Sequence, residues 1–586
     1  MTRVALNVLS DLIEKENEII AVLPTGYGKT TFLLENKNLF DKLGRVIHAL
    51  PLQAIIRQLY IKLKNKGFDV GYQMALQIPE GDKRPFLSKP YMVTTIDSFL
   101  LDFYGIPVHE IFRAKWHSDL AFLISRVANL LIFDEFHLVT ALEAENAEEE
   151  YIKIIEVVKD CWSSFKKGKK LILTATLSPS IIAEVSPNAK ILVYAPDSHA
   201  YIEALKQKKL DPINIWNIED SFYNNFYNYL NFVRTYIVEL ENYNQILKFF
   251  DKIYREHENK KVLVVLNHAW KVEKLALEYG KLFIHGFFGN ESKGSMFEMI
   301  EKGNLDIIFA SQVIEAGLDI DYDVLITDIA PAYALIQRAG RIARNKPREA
   351  YIYIIKYNIS EQVRGVYSEE LTKKTLEKLM EAKISSSKMD NFTMHSININ
   401  WRLPISEGLD YLKLVLHIDD VVANIIKQAK NSELADSLEF LKKITLKPAE
   451  VIGILDEKFS GSFIRSSSLI PIAIDNEIVS VSMDRFFKIA KEIKGLKFRF
   501  KKMEKDAIIE DEVDITKEEI ERYIKAPLRF LRYTIWKCRK KAKEEDENLS
   551  GYLKIIPLGF VLTKETVGKI SYFNKEFLYL KLAQDA

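Results

Sequence analysis

The sequence predicts an α/β protein: two tandem units, each a parallel sheet covered by helices, followed by a linker and a mixed C-terminal domain. Three observations predict it. Short apolar runs alternate with helix-length segments through the first 360 residues. The alternation stops in a polar, aromatic stretch near 200–240 and then begins again. Past about 361, lysine-rich helical segments mix with a few strand-like runs and the charge becomes blocky, KFRFKKMEK (497–505) preceding an acidic IIEDEVD. A chain of 586 residues is also too long for one core. The expected divisions are 1–200, 201–360 and 361–586.

In the first unit, EIIAVL (18–23), RVIHAL (45–50), YMVTT (91–95), NLLIF (129–133) and KLILTAT (170–176) read as buried strands. Helix-length segments such as LQAIIRQLYIKLKNK and ALEAENAEEEYIKIIEVVKD separate them, which is the order of a parallel sheet with helices on both faces. The second unit repeats the pattern with KVLVVLN (261–267), KLFIH (281–285), DIIFA (306–310), DVLITD (323–328) and AYIYII (350–355). In the last region EIVSVSM and KIIPLGFVL are the strand-like runs. No short internal period suggests a solenoid.

Composition narrows the class. The net charge is +1, so any nucleic-acid footprint must be local. Cys161 and Cys538 are the only cysteines, which argues against a disulfide framework or zinc site and for a reducing interior. The first apolar stretch carries acids and no small-residue cleavage site, so it does not read as a secretory signal. No run approaches the roughly 20 apolar residues of a membrane span. A cytoplasmic protein with no membrane partner is expected.

After the first strand comes LPTGYGKTT, in which Pro24, Thr25, Gly26, Tyr27, Gly28, Lys29, Thr30 and Thr31 are the expected nucleotide-binding residues. Glycines let backbone N–H groups close around phosphates, and the start of the next helix favours an anion. Lys29 would reach the outer phosphates and the Thr30 hydroxyl would ligate Mg²⁺. Leu23 stands where the eight-residue form of the loop has its first glycine, but the shorter form PTGxGKT is intact.

The stretch LLIFDEFHLV (130–139) ends a buried run with two acids. In an open parallel sheet ligands bind at the carboxyl ends of strands, so Asp134 and Glu135 would emerge beside the phosphate loop. Asp134 would hold Mg²⁺, usually through water. Glu135 would orient and deprotonate an attacking water. In the second unit ASQVIEAGLDIDYDVLITD leads to IQRAGRIAR (336–344), where Gln337, Arg341 and Arg344 fall at i, i+4 and i+7 of a helix-length segment. A planar, bidentate guanidinium suits a developing phosphoryl charge. TATLS (174–178) follows KLIL and brings the Thr174 and Thr176 hydroxyls near the Asp134 strand end, as a link between nucleotide state and domain closure.

Together these residues resemble superfamily 2 DExH helicases with two RecA-like domains, and their finer wording resembles the helicase protein of type I CRISPR interference. PTGYGKT, HALPLQAIIRQLY, VTTIDSFL, DEFH and TATLS match in the first unit; VVLNHAWKVEKLA and the run from Ser311 to Arg344 match in the second. The resemblance spans roughly 20–360 by motif. It implies ATP and Mg²⁺ as cofactors, His137 among the catalytic residues, and Gly317 and Asp319 among those binding nucleotide. It also implies single-stranded DNA across both units, facing Gln53, Thr94, Thr95, Asn267, Ser311 and Gln312, with movement 3′ to 5′. Hydroxyls and amides contact phosphates without reading sequence, which suits a translocase.

The chain departs from that pattern in three places. No glutamine precedes Gln53, so the usual adenine-reading residue upstream of the loop is missing. IHGFFGNESKG lacks the arginine usual in its segment. No His-Asp dipeptide occurs, and HIDD (417–420) supplies one histidine without a second nearby. This resembles the split form of the family, which implies a separate HD nuclease subunit and a CRISPR RNA-guided surveillance complex as partners. A DExH RNA or DNA-repair helicase outside CRISPR, and a nucleotide-binding scaffold without turnover, are the other readings. RFLRYTIWKCRKKAK (529–543) has the spacing of an amphipathic helix that buries its aromatics, and equally the composition of a base-stacking platform.

Overall fold

The structure is a computed structural model describing residues 3–581 other than 75–80, 85–86, 108–114, 138–146, 197–198, 216–219, 303–304, 316–317, 390–391, 430–433, 444–446, 464–468, 492–495, 505–506, 546–554, 562–566 and 573–574. Its first sheet contains β1 (Glu18–Val22), β2 (Val46–Leu50), β3 (Val70–Gln73), β4 (Tyr91–Thr95), β5 (Leu130–Asp134), β6 (Lys169–Thr174), β7 (Lys190–Tyr194) and β8 (Asp211–Ile215). All neighbours are parallel, in the order β3-β4-β2-β5-β6-β1-β7-β8. The five expected strands are present. The unexpected β3 and β8 are the sheet's edges, where burial on both faces is not needed and the apolar run is short. β7 is buried, but its apolar core ILVY fits a turn of buried helix as well as a strand.

Register decides what gathers at one end. Val22 pairs with Thr174, and Asp134 pairs with Leu173 one residue earlier on β6. The phosphate loop, the acidic pair and the TATLS turn therefore leave three adjacent strands at the same edge.

The second sheet contains β9 (Val233–Glu239), β10 (Val262–Val265), β11 (Phe283–Ile284), β12 (Ile307–Ala310), β13 (Val324–Asp328), β14 (Ala350–Lys356), β15 (Lys383–Met389) and β16 (Phe392–Ile397). Its order is β11-β12-β10-β13-β14-β9-β16-β15, with the last two strands antiparallel. The fold is thus tandem RecA-like α/β sheets. The second sheet takes β9 from the aromatic stretch near 200–240 and a hairpin from beyond residue 360.

The C-terminal region grips both units. Its helices Asp419–Ala429, Leu434–Leu441 and Pro448–Phe459 lie on the first: Asp160 pairs with Lys442 at 2.8 Å, and Lys153 Nζ donates to the Phe459 carbonyl at 3.2 Å. A five-stranded mixed sheet built from residues 469–561 has its own apolar core around Phe486, Phe498, Phe530 and Phe560. The hairpin Val567–Tyr572/Lys575–Leu580 lies on the second unit, where the Gly289 amide donates to the Leu578 carbonyl at 2.8 Å and the Leu580 amide to the Phe287 carbonyl at 3.0 Å. The IHGFFGNESKG segment is consequently a protein seat: Glu477 accepts from the Ser292 amide at 2.8 Å and hydroxyl at 2.5 Å, and a Cβ at Gly289 would collide with that carboxylate.

Candidate functional site

The first wall of the cleft is the phosphate loop and the end of β5. Gly26 and Gly28 have φ of +77° and +107°, which a residue with a Cβ adopts only under strain. Tyr27, between them, is fully buried; its hydroxyl donates to Asp220 at 2.6 Å and accepts from the Ala5 amide at 3.1 Å, anchoring the loop to the chain's first helix. Lys29 opens the helix Lys29–Glu35 with its ammonium turned onto the loop, 3.1 Å from the Leu23 carbonyl and 3.4 Å from that of Pro24. Thr30 and Thr31 are exposed.

Asp134 is buried, 3.2 Å from His48 Nε2, and its other oxygen accepts from the Glu135 amide at 2.8 Å. Glu135 has φ of +49°, a strained left-handed backbone for a side chain of that size. Its side chain is 25% exposed, and one carboxylate oxygen lies 3.5 Å from His137 Nδ1. Burial pushes this carboxyl up, Asp134 adds to the rise, and Lys29, Arg341 and Arg344 oppose it. Both walls therefore act on one carboxylate. The Thr174 hydroxyl donates to the Thr176 carbonyl at 2.9 Å and so accepts from His137 Nδ1 at 3.1 Å. Burial, then Lys29 and Arg341, push His137 down to about 3, leaving it neutral.

On the second wall the structure corrects the expected helical face. The helix Ala332–Ala339 stops before either arginine. Gly340 caps it, and the chain pairs with residue 322 instead: the Tyr322 amide donates to the Arg341 carbonyl at 2.9 Å and the Ala343 amide to the Tyr322 carbonyl at 3.0 Å. Ala343 then turns with φ of +45°. Gln337 remains on the helix, buried, with its Nε2 lacking a partner among the described residues. The Arg341 guanidinium donates to the Leu318 and Glu315 carbonyls, both at 2.7 Å; burial, with Arg344 nearby, pushes it down to about 9, still protonated at neutral pH. Arg344 lies 3.1 Å from Asp319, and its amide donates to Asp321 at 2.8 Å. Asp319 is exposed, and Gly317 lies outside the described residues.

Two residues that sequence reasoning missed complete the cleft. His48, in the middle of the apolar run RVIHAL, is buried and bridges Asp134 to the Tyr91 hydroxyl at 3.0 Å; an imidazole inside a buried strand was the available signal. Arg402 had none. It is fully buried on a loop beyond the second sheet, donating to the Thr25 carbonyl and hydroxyl at 3.1 Å and to the Gly340 and Ile342 carbonyls at 2.8 and 3.3 Å.

The residues expected to face a strand divide. Gln53 and Gln312 are part-exposed, the latter donating to the Asn267 carbonyl at 2.7 Å, while Ser311 is buried beside it. Thr94 and Asn267 are turned inward, which corrects that expectation for their side chains. The Thr94 hydroxyl donates to the Gln73 carbonyl at 2.9 Å. The Asn267 amide donates to the Ile329 and Gln362 carbonyls and accepts from Arg338, all at 2.9 Å, inside a buried network that also includes Glu315 and Tyr367. Thr95 caps the helix Ile96–Phe103, accepting from the Ser98 amide at 3.0 Å.

In HIDD, Asp419 docks on the end of TATLS: it accepts from the Ser178 hydroxyl and from the Ser180 amide and hydroxyl, both at 2.9 Å, and lies 3.2 Å from Lys208. Among the described residues no three His, Cys, Asp or Glu side chains are grouped to hold a metal ion. On the helix Pro527–Glu545, Phe530 is buried while Trp536 is 53% exposed and stacks on Tyr533 at 5.9 Å. Among the described residues no helix is long and apolar enough to cross a membrane.

Comparison with known proteins agrees with the tandem RecA-like fold. The family described as DEAD/DEAH box helicase matches residues 2–185, and that described as CRISPR-associated nuclease/helicase Cas3, C-terminal, matches residues 235–347. A CRISPR-associated nuclease/helicase Cas3 of Methanothermobacter thermautotrophicus is 25% identical over 365 residues, covering 56% of this chain and 38% of that protein. A protein of the same name from Streptococcus thermophilus is 31% identical over 163 residues, 25% of this chain and 17% of that one. The T. fusca Cas3-ATP crystal structure shares the fold, with a TM-score of 0.52 at 15% identity, covering 81% of this chain and 59% of that one. The chain thus spans less than two-thirds of the length of each.

Proposed function

We propose that this chain, a Cas3-type helicase of superfamily 2, hydrolyses ATP between its two RecA-like units and uses the resulting closure and opening to move along single-stranded DNA. The observation that carries the reading is geometric: the phosphate loop and the Asp134–Glu135 strand end leave the same edge of the first sheet, and Arg402 joins Thr25 of that loop to Gly340 and Ile342 on either side of Arg341. Glu135, on a strained left-handed turn directly after the strand, takes the proton of the attacking water. Lys29 leaves the loop carbonyls for the outer phosphates. Arg341 and Arg344 supply charge to the transition state after release from their own loop. His137, neutral and bonded to Thr174, joins the acidic strand end to the TATLS turn, whose Ser178 bears on Asp419 of the C-terminal region.

The donor set fits a hard divalent ion: a buried carboxylate fixed by His48 and an exposed hydroxyl opening the next helix. Thr30 and Asp134 would hold Mg²⁺, which when bound screens the phosphate charges. The setting we infer is type I CRISPR interference in the cytoplasm, alongside a CRISPR RNA-guided surveillance complex. Cutting would be done by a separate HD nuclease subunit outside these residues.

Glu135→Gln should bind ATP as the wild type does while losing DNA-stimulated hydrolysis by about 100-fold or more, because the base is lost and the metal ligands remain. Turnover at the wild-type rate would move the base elsewhere. The wild-type chain should unwind DNA with ATP but cut it only when an HD protein is added. Stimulation by RNA and not by DNA would favour an RNA helicase instead.

A further inference from the structure

We propose that Arg402 is a positioning residue of the cleft, fixing the spacing between the phosphate loop and the segment that carries Arg341 and Arg344. The inference rests on reading the cleft as an ATP site.

A guanidinium offers five N–H donors in a rigid plane. Here the two terminal nitrogens are divided between the units: Nη1 serves the Thr25 carbonyl and hydroxyl in the first, and Nη2 the Gly340 and Ile342 carbonyls in the second. The two carbonyls held in the second unit flank Arg341. Arg402 therefore fixes the backbone of Arg341 from both sides while Glu315 and Leu318 fix its side chain. With both terminal nitrogens so engaged, Arg402 acts as a tie between the walls.

The surroundings leave little slack. A Cβ on Gly340 would come within 2.9 Å of the Thr25 hydroxyl, and one on Gly26 would lie 3.5 Å from Arg402 Nη1. The loop presenting Arg402 is itself pinned. Asn400 Oδ1 accepts from the Arg402 and Leu403 amides at 3.0 and 2.9 Å, and Trp401 donates to the Thr235 hydroxyl at 3.0 Å. Phe226 lies under the guanidinium, its ring centre 5.5 Å away. A buried cation whose hydrogen bonds all go to neutral oxygens is expensive, and this one stands where the two motif loops touch. Burial, with Arg344 and Arg348 nearby, pushes it down to about 10, so it stays charged at neutral pH. Lysine cannot replace it, because one ammonium cannot serve acceptors on both sides in a fixed plane.

The test uses the full chain with Arg402→Lys, Arg402→Gln and Arg402→Ala. It measures binding of a fluorescent ATP analogue, DNA-stimulated turnover, and, without nucleotide, the distance between a dye on each unit. Arg402→Ala should lose turnover by on the order of 100-fold, as misplaced catalytic groups do. Analogue affinity should stay within about threefold, and the dye distance should lengthen. Arg402→Lys and Arg402→Gln should fall between. Equal losses of affinity and turnover, or an unchanged dye distance, would overturn the proposal. If Arg402→Ala fails to fold, Arg402→Lys decides alone, and wild-type turnover with wild-type spacing would sink the idea. If the wild-type chain neither binds nor hydrolyses ATP, the ATP reading fails, and the dye distances still report whether Arg402 spaces the units.

Discussion

Across the cleft, Asp134 and His137 are held by His48 and Thr174 from neighbouring strands, whereas Arg341 and Arg344 are held by the loop that precedes them, through Glu315, Leu318 and Asp319. On the first wall Asp134 and His137 have partners they can keep, and only Lys29 must leave its loop carbonyls. The second wall's arginines are satisfied by partners they must give up to reach a phosphate. On the proposed mechanism, shutting the cleft would be only part of activation; an exchange of hydrogen bonds within the second unit would be the other part. The exchange is uneven: Arg341 is buried on two carbonyls, while Arg344 is part-exposed on one carboxylate.

The largest break in this contrast should come from Arg344→Ala. On the proposed mechanism its contact is made in the transition state, so turnover should drop by about 100-fold with ATP affinity nearly unchanged. Parallel losses in steady-state turnover and equilibrium binding would mean that the arginine already holds the ground state.

Acid should loosen the first wall. His137 has an ordinary value near 6.5 and is held at about 3 when folded. Between those values the unfolded chain carries the extra proton. The stability due to the neutral ring is thus complete above about 6.5 and is lost as pH falls toward 3, by at most about 1.4 kcal/mol per pH unit. Urea midpoints of wild type and His137→Asn between pH 7 and 5 should diverge in slope, the variant being flatter. Identical slopes would show that the ring titrates freely.

The smallest effect should come from Asp319→Asn, which weakens an exposed tether on Arg344. Surface pairs of this kind contribute about 0–1 kcal/mol, so turnover should rise about twofold with binding unchanged. A clear loss of nucleotide affinity would instead put Asp319 in contact with the nucleotide, as its motif suggests.

What the sequence disclosed depended on whether the information was local. PTGYGKT and DEFH each mark a strand-to-loop transition in the local sequence, and the sheet order and register then bring Val22, Thr174 and Asp134 to one edge. The i, i+4, i+7 spacing of Gln337, Arg341 and Arg344 was misleading, since pairing with Tyr322 and the glycine at 340 end the helix early. Thr94 and Asn267 carry polar side chains that suit a phosphate strand equally well as a buried network, and burial settled which was built. β15 and β16 complete the second sheet from beyond a motif-based boundary. Arg402 follows Asn400 and Trp401 in no recognisable pattern, and only tertiary contact reveals it.

The seat of the C-terminal hairpin has a consequence for solubility. Tyr579 packs 5.3 Å from Phe283 and 5.2 Å from Phe288, centre to centre, beside buried Phe577 and Leu578. The Phe287 carbonyl and Gly289 amide take their hydrogen bonds from the same hairpin. A chain shortened before residue 567 would present that aromatic surface and those backbone groups to water together, which is the composition of a self-associating patch. The hairpin covers those rings and backbone groups, and a chain without it should self-associate more readily in light scattering.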